Sequence, residues 1–155
     1  MIIYQYKSPI GVLLLEFHNG TFTKLDITQA NSDSLKQASP LPNPYSQDLD
    51  AYFRGKPITF EWPIKLQGTP FQMQVWQSIR EIPYGKTTTY KKIGEKIRSK
   101  GYQAIGSAVG RNPLAIIIPC HRVLGTRSLG GYHYGLMIKN FLLKLENALP
   151  DTTIC

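Results

Sequence analysis

The 155-residue chain carries 18 Lys and Arg residues against 10 Asp and Glu, a formal net charge of +8, and 42% of its residues are hydrophobic. This length and composition suffice for an ordinary apolar core in one or two small domains. No apolar run approaches the roughly 18 residues that a membrane-spanning helix needs, and the first residues lack a signal-peptide pattern. We therefore expect a cytoplasmic protein with no membrane contact.

The charge is concentrated in one half of the chain. Residues 1–63 contain five basic and six acidic residues, whereas residues 64–155 contain thirteen basic and four acidic ones. Such a basic segment favours a polyanion as partner, because each phosphate contact releases counterions. A generally solvated basic surface is the alternative, and charge alone does not decide between the two.

The first 63 residues predict a small α/β domain with an antiparallel sheet. Segments rich in β-branched and aromatic residues predict its strands at residues 2–6, 11–17 and 22–27. Residues 31–44 are polar, contain three prolines and predict a loop. Leu49 and Tyr52 then mark an amphipathic helix that Gly55 ends, and residues 58–62 predict a further strand.

The spacing of apolar residues changes after residue 63 and predicts a second, mainly helical domain over residues 64–155. Thr89 is a suitable N-cap for a helix at residues 90–97, and a second helix follows the turn at residues 99–101. Two short helices across a tight turn indicate a helix-turn-helix, although many such pairs never touch DNA. Clustered basic residues favour the DNA-binding version: Lys91, Lys92, Lys96, Arg98, Lys100 and Arg111.

Cys120 follows an apolar segment, residues 114–118, that predicts a strand, and it precedes His121 and Arg122. A neighbouring imidazolium or guanidinium lowers the pKa of a thiol, so we expect a lowered pKa and a nucleophilic thiolate at Cys120. A buried structural cysteine is the alternative, and these residues alone favour neither. A disulfide between Cys120 and Cys155 would silence the nucleophile, and we expect both thiols to be reduced.

Several further motifs occur in a fixed order after residue 70. They are Phe71 with Val75 and Trp76, Ile82-Pro83-Tyr84-Gly85, Thr89-Tyr90, Asn112-Pro113, Pro119-Cys120-His121-Arg122-Val123, and Gly130-Gly131-Tyr132 with Gly135 and Glu146. In this combination and order they resemble the catalytic domain of the O6-alkylguanine-DNA alkyltransferases, also called methylated-DNA-protein-cysteine methyltransferases. The resemblance is weaker in residues 1–63.

The resemblance implies a ribonuclease H-like N-terminal α/β domain and a winged-helix-like C-terminal domain. It implies direct-reversal DNA repair, in which an alkyl group passes irreversibly from O6 of guanine, with O4 of thymine a further candidate, to Cys120. The lesion would be flipped out of duplex DNA. We expect a monomer that is consumed in one turnover, with DNA carrying O6-alkylguanine as its partner and with neither a cofactor nor a metal.

The resemblance also assigns roles around Cys120. His121 would be the base, taking the thiol proton through a water molecule, and Glu146 would orient and stabilise the imidazolium. Glu146 ends a predicted helix whose apolar stripe can hold the carboxylate beside the active-site segment, and that stripe consists of Met137, Ile138, Phe141, Leu142 and Leu145. Asn112 would hold the active-site segment to the preceding helix through its side-chain amide. Arg122 would be structural, tying the active-site turn to carbonyl groups near the helix-turn-helix.

The base pocket is implied in the same way. Tyr90 would donate towards guanine N3, and the carbonyl groups of Val123 and Cys120 would accept from the exocyclic amine. Tyr132 and the backbone of His133 would close the pocket and donate to O6.

The DNA-facing residues include one departure from the family. The family places an arginine finger nine residues before the position of Asn112, and this chain has Gln103 there. Glutamine lacks the charge and the stacking plane of a guanidinium, so we hypothesise that Tyr102 or Arg98 helps to fill the gap left by the flipped base. The other expected DNA contacts are Lys100, Ala104, Gly106, Ser107 and Arg111.

Two other classes of function compete with alkyl transfer. A DNA-binding protein could sense the lesion without accepting the alkyl group, but the presence of Cys120 argues against it. A thiol hydrolase with a Cys-His-Glu triad would not need a basic helix-turn-helix, and the charge distribution argues against that class.

Overall fold

The computed structural model describes residues 1–29 and 33–148, and the chain groups into two compact units. One unit comprises residues 1–66 with 113–115, and the other comprises residues 67–112 with 116 onward. The predicted division into separate domains after residue 63 stays a prediction. In the described ranges no helix is long and apolar enough to cross a membrane.

The first unit is built on a four-stranded sheet with the order β3-β2-β1-β4. Its elements are strands β1 (Ile2–Ser8), β2 (Gly11–His18) and β3 (Thr21–Thr28), helix α1 (Asp33–Gln37), strand β4 (Ser39–Pro40) and helix α2 (Tyr45–Phe53). The first three strands pair antiparallel, which confirms the predicted strands. Leu13, Leu15 and Leu25 from this sheet are fully buried, as are Leu49 and Tyr52 from α2.

The predicted loop at residues 31–44 is wrong in part, because the segment contains α1 and β4; residues 31 and 32 lie outside the described residues. The segment does not form an open loop because it is hydrogen-bonded to β1. Leu41 donates its N–H to the carbonyl of Gln5 at 3.0 Å, and the Gln5 side chain donates to the carbonyl of Ala38 at 3.1 Å. Pro40 is tolerated in β4 because that strand lies at the edge of the sheet.

The predicted strand at residues 58–62 is also wrong, since these residues join no ladder. Phe60 and Trp62 instead bury their rings, with Phe60 5.5 Å from Tyr52 and Trp62 5.1 Å from Phe22 between centroids. Aromatic residues at alternate positions are typical of a strand, but here they fill the core while prolines flank the segment. The burial was predictable from the sequence, whereas the missing pairing was not.

The second unit is mainly helical, as predicted. Its elements are α3 (Pro70–Arg80), β5 (Thr88–Thr89), α4 (Tyr90–Ile97), α5 (Tyr102–Gly110), a short 3-10 helix (Cys120–Arg122), β6 (Val123–Leu124) and α6 (Leu136–Leu145). Thr89 caps α4 by accepting the N–H of Lys92 at 3.1 Å, which confirms the predicted cap. Trp76 of α3 donates its indole N–H to the carbonyl of Ala108 in α5 at 2.8 Å and so links the two helices.

The apolar segment before Cys120 does not form the predicted strand. Residues 116 and 117 lie in a turn, and Ile116 has a φ of 72°, in the left-handed region that β-branched residues avoid. The segment is nevertheless buried throughout, with every side chain from Leu114 to Ile118 less than 5% exposed. A short apolar run indicates burial more securely than it indicates a strand.

The buried face of α6 also differs from expectation. The sequence suggested a stripe formed by Met137, Ile138, Phe141, Leu142 and Leu145, but Met137 is 90% exposed and Phe141 is 38% exposed. The helix instead buries Lys139, Leu142 and Leu143, with Glu146 following at its C-cap. The apolar pattern is misleading because two charged residues lie on the buried face.

Candidate active site

Cys120 begins the 3-10 helix and is only 6% exposed. Its backbone N–H donates to the carbonyl of Ile118 at 2.7 Å, and the side-chain amide of Asn112 donates to the same carbonyl at 2.7 Å. The Asn112 side chain also hydrogen-bonds to the Cys120 thiol. Asn112 therefore joins the end of α5 to the segment that carries the sulfur.

Glu146 connects both residues that follow Cys120. Its Oε2 lies 2.6 Å from Nε2 of His121, and its Oε1 accepts from Nε of Arg122 at 2.7 Å. Arg122 also donates through Nη1 to the carbonyl of Ile82 at 2.8 Å. The side chains of His121 and Glu146 are fully buried. Each carboxylate oxygen of Glu146 thus has one hydrogen-bond partner, the imidazole of His121 or the guanidinium of Arg122.

The protonation of this pair follows from its surroundings. Burial by itself raises the pKa of Glu146, but the hydrogen bonds and charges of His121 and Arg122 outweigh it and bring that pKa to about 2. Burial lowers the pKa of His121, and its hydrogen bond with Glu146 only partly compensates. Near neutral pH the carboxylate is therefore ionised and the imidazole is neutral.

An ionised carboxylate can only accept hydrogen bonds, so Nε2 of His121 must carry the single imidazole proton. The lone pair is then on Nδ1. That atom is buried and has no hydrogen-bond partner among residues 1–29 and 33–148. The Glu146 contact therefore leaves Nδ1 as the basic nitrogen of the site.

The thiol itself does not behave as the sequence suggested. Burial raises the pKa of Cys120, and the opposing effects of the Asn112 hydrogen bond and the Lys139 charge are smaller. The expected lowering of this pKa is wrong, because His121 is neutral and the Arg122 guanidinium is bound to Glu146. At rest the residue is a protonated thiol.

A cavity opens onto Cys120. It is lined by Tyr90 from α4, by Gly106, Val109 and Gly110 from α5, and by Gly131, Tyr132 and His133. The Tyr90 hydroxyl hydrogen-bonds to the backbone of Gly131, and its pKa is raised by burial. The structure therefore brings three of the predicted pocket residues together around the thiol: Tyr90, Tyr132 and His133.

Val123, the remaining predicted pocket residue, is fully buried in β6, and its carbonyl accepts from Nζ of Lys139 at 2.7 Å. The carbonyl of Cys120 in turn accepts the N–H of Val123. A ligand contact to either carbonyl would use the second lone pair of the oxygen. The sequence did not lead us to Lys139 as a functional residue. The feature that could have indicated its burial is its spacing of three, four and seven positions from Leu142, Leu143 and Glu146, which places it on the same face of the helix.

All of the predicted DNA contacts except Gly106 are exposed. On α5 the residues Tyr102, Gln103, Ala104 and Ser107 are exposed, while Ile105, Ala108 and Val109 face the core. Beyond the helix ends, three basic residues are exposed as well: Arg98, Lys100 and Arg111. Gly106 is half-buried at the cavity, and an added Cβ there or at Gly110 would meet nothing within 4 Å.

Comparison with known proteins gives two family matches that together cover most of the chain. Residues 70–148 match the DNA-binding domain of 6-O-methylguanine DNA methyltransferase, and residues 1–66 match its ribonuclease-like domain. The chain therefore belongs to the 6-O-methylguanine DNA methyltransferase family. Members of this family repair DNA by transferring an alkyl group to a cysteine of the protein, which is the function expected from the sequence.

Individual relatives agree along nearly the whole chain. The methylated-DNA–protein-cysteine methyltransferase of Methanosarcina barkeri is 44% identical over 147 residues, covering 90% of this chain and 93% of its own length. That of Saccharolobus solfataricus is 37% identical over 153 residues, covering 97% and 100%. The crystal structure of Mycobacterium tuberculosis OGT in complex with DNA matches with a TM-score of 0.83 at 38% identity, covering 96% of this chain and 94% of that one.

The buried Glu146 carboxylate should govern stability in acid. Its pKa is about 2 in the folded protein, whereas a glutamate in an unfolded chain has a pKa of about 4.3. A carboxyl with a depressed pKa stabilises the fold fully above the unfolded value, and this stabilisation is lost as the pH falls towards the folded value. We expect the free energy of unfolding to fall between about pH 4.3 and about pH 2, and Glu146→Gln to flatten that slope.

The measurement is urea denaturation at a series of pH values. Glu81→Gln is the matched control, because Glu81 is an exposed partner of Lys96 and its loss should leave the wild-type slope nearly intact. Equal slopes for Glu146→Gln and the wild type would contradict the inferred ionisation of Glu146.

Proposed function

We propose that this protein moves a methyl or larger alkyl group from O6 of guanine in duplex DNA to Sγ of Cys120. The observation that carries the proposal is the buried Glu146 to His121 hydrogen bond, which leaves a basic nitrogen on the residue next to Cys120. The sulfur–carbon bond forms as the carbon–O6 bond breaks, and the released guanine takes up a proton. A thioether is stable, so each molecule acts once.

The proton of the thiol is the first obstacle, because burial raises the pKa of Cys120. We infer that Nδ1 of His121 accepts this proton through a bridging water and that Glu146 stabilises the resulting imidazolium. Arg122 keeps Glu146 ionised and in place. The thiolate is then formed as the reaction begins rather than stored in the resting protein.

The cavity supplies the remaining contacts of the proposal. Tyr90 donates towards guanine N3, Tyr132 and the backbone of His133 close over the base and donate to O6, and the carbonyl groups of Cys120 and Val123 accept from the exocyclic amine. Their support is the lining of the cavity by Tyr90, Tyr132 and His133 beside the sulfur.

The exposed face of α5 is the proposed DNA surface, with α4 and α5 as a helix-turn-helix. This face consists of Tyr102, Gln103, Ala104 and Ser107. Three exposed basic residues flank it: Arg98, Lys100 and Arg111. A guanine inside a duplex cannot reach a buried sulfur, so the nucleotide must be flipped into the cavity. We propose that Gln103 enters the gap, assisted by Tyr102, which is 44% exposed.

Several finer points remain predictions. They are the ribonuclease H-like and winged-helix-like topologies, a domain boundary after residue 63, the reduced state of Cys155, which lies outside the described residues, a cytoplasmic location, and a monomeric state. Repair of O4-methylthymine is a further prediction. Its outcome depends on the width of the cavity at His133, which lines the cavity and whose ring lies 4.7 Å from that of the half-buried Tyr134 between centroids.

The proposal is tested by mass spectrometry after incubation with a duplex that carries one O6-methylguanine. We expect one methyl group per protein molecule on the peptide containing Cys120, none on Cys155, and none on the Cys120→Ser variant. Lesion-selective binding without methyl gain would contradict transfer and indicate a sensor. Repeated turnover of acyl substrates without DNA would indicate a thiol hydrolase.

Replacement of Gln103 tests the proposed gap filling. Gln103→Arg restores a stacking plane and a charge, so we expect transfer from duplex DNA to become faster by severalfold. Gln103→Lys is the matched control, because it adds the charge without the plane. Single-turnover rates on duplex and single-stranded substrates measure the effect, which should be absent from the single strand. Equal rates for all three proteins on the duplex would contradict a role for position 103 in filling the gap.

A substitution at Gly106 tests whether the substrate needs the space that the missing side chain leaves on α5. An added Cβ meets nothing within 4 Å, and alanine stabilises a helix interior by about 1 kcal/mol relative to glycine. We expect Gly106→Ala to unfold at a higher temperature yet to transfer methyl groups from duplex DNA more slowly. Its reaction with a small thiol reagent is the internal control and should be unchanged. A stabilised variant with wild-type transfer would show that the space at Gly106 is not needed.

A further inference from the structure

Lys139 is a buried lysine that the mechanism above does not use. It lies in α6 with no exposed surface, next to the buried face formed by Leu142 and Leu143. Its ammonium donates to three backbone carbonyl groups, those of Val123 at 2.7 Å, Leu129 at 2.5 Å and Gly131 at 2.9 Å. All three hydrogens of the ammonium therefore have an acceptor.

The three acceptors lie on one segment, residues 123–131, which is part of the site. Val123 directly follows the 3-10 helix that contains Cys120. Gly131 lines the cavity, and its backbone hydrogen-bonds to the Tyr90 hydroxyl. One side chain thus fixes both ends of the segment that runs from the nucleophile to the cavity wall.

Lys139 has no carboxylate partner within the residues described, since the ion pairs of the site join Glu146 to His121 and Arg122. Burial of an ammonium without an opposite charge is costly, and a well-packed apolar residue would avoid the cost. Burial accordingly lowers the pKa of Lys139 to about 8, and the nearby Cys120 acts in the opposite direction. An uncompensated buried charge next to a nucleophile points to a functional role.

We propose that Lys139 is a positioning residue for alkyl transfer, which holds the segment 123–131 around the cavity and supplies the positive charge that faces the Cys120 thiolate as it forms. This inference rests on the proposed function in assuming that Cys120 is the acceptor. Other charged or titratable groups lie around Lys139 and Cys120. They are Tyr90 of α4, His121 and Arg122 of the 3-10 helix, His133 at the cavity, and Glu146 at the end of α6.

The test separates charge from hydrogen bonding by means of two variants made with Cys155→Ser, so that Cys120 is the single thiol. Lys139→Gln keeps hydrogen-bond donors and removes the charge, whereas Lys139→Arg keeps the charge. Lys144→Gln is the matched control, because Lys144 is an exposed lysine on the same helix. The first readout is the pH dependence of Cys120 alkylation by iodoacetamide, followed by intact mass in the absence of DNA.

We expect the midpoint of this profile to move to higher pH in Lys139→Gln, because the thiolate loses its opposite charge. Lys139→Arg should stay close to the wild type in midpoint, and Lys144→Gln should match it. Methyl transfer from duplex DNA should fall about tenfold or more in Lys139→Gln, with a smaller loss in Lys139→Arg. A merely structural role would lower the melting temperature and slow transfer without moving the midpoint.

An unchanged midpoint in a folded Lys139→Gln variant would overturn the electrostatic role, and wild-type transfer in that variant would overturn the proposal as a whole. If Lys139→Gln does not fold, Lys139→Met replaces it, since methionine has a similar length and no charge. Failure of the proposed function is distinguishable, because the iodoacetamide profile needs no DNA. A shifted profile together with an unmethylated wild-type protein would refute the function and leave the charge effect standing.

Discussion

The buried carboxylate of Glu146 is the interaction on which the rest of the site depends. An ionised group without exposed surface must be matched by hydrogen bonds and opposite charge, and Arg122 and His121 provide both. This requirement determines three features together: the proton of His121 is on Nε2, the guanidinium of Arg122 is turned towards Glu146, and the C-terminal end of α6 is fixed against the 3-10 helix. Without Glu146, no carboxylate would hold the proton of His121 on Nε2, and Nδ1 would no longer be fixed as the basic nitrogen.

The raised pKa of Cys120 suits a protein that reacts only once. A standing thiolate would combine with any small electrophile and consume the protein, whereas a buried thiol beside a neutral base becomes nucleophilic only when its proton is removed. Reactivity is thereby linked to events at the site rather than to the intrinsic acidity of the cysteine. The sequence places an imidazole and a guanidinium beside Cys120, but in the folded protein the imidazole of His121 is neutral and the guanidinium of Arg122 is bound to Glu146.

Local patterns predicted the fold best. The three strands at the start, the cap at Thr89 and the helices of the second unit follow from short-range preferences, and the resemblance selected the side chains that meet at Cys120, including Asn112 and Glu146. The errors all concern long-range packing. Phe60 and Trp62 of the segment 58–62, and all of residues 114–118, are buried although neither segment forms a strand, and α6 buries Lys139 and Glu146 instead of Met137 and Phe141. A prediction from hydrophobic periodicity places charged residues on the surface, so it fails for a helix whose buried face carries the charged residues of a site.

The charges of the buried cluster also explain why two cations accompany one carboxylate. When the proton moves from Cys120 to His121, the net charge of the cluster does not change, but a thiolate and an imidazolium are created within it. Glu146 lies against the imidazolium, and Lys139, in the role proposed for it, faces the thiolate. Each new charge thus forms beside an opposite one that is already in place, so little reorganisation is needed. Alkylation then converts the thiolate into a neutral thioether, so that among the described residues Lys139 again has no opposite charge beside it, and the sulfur cannot react a second time.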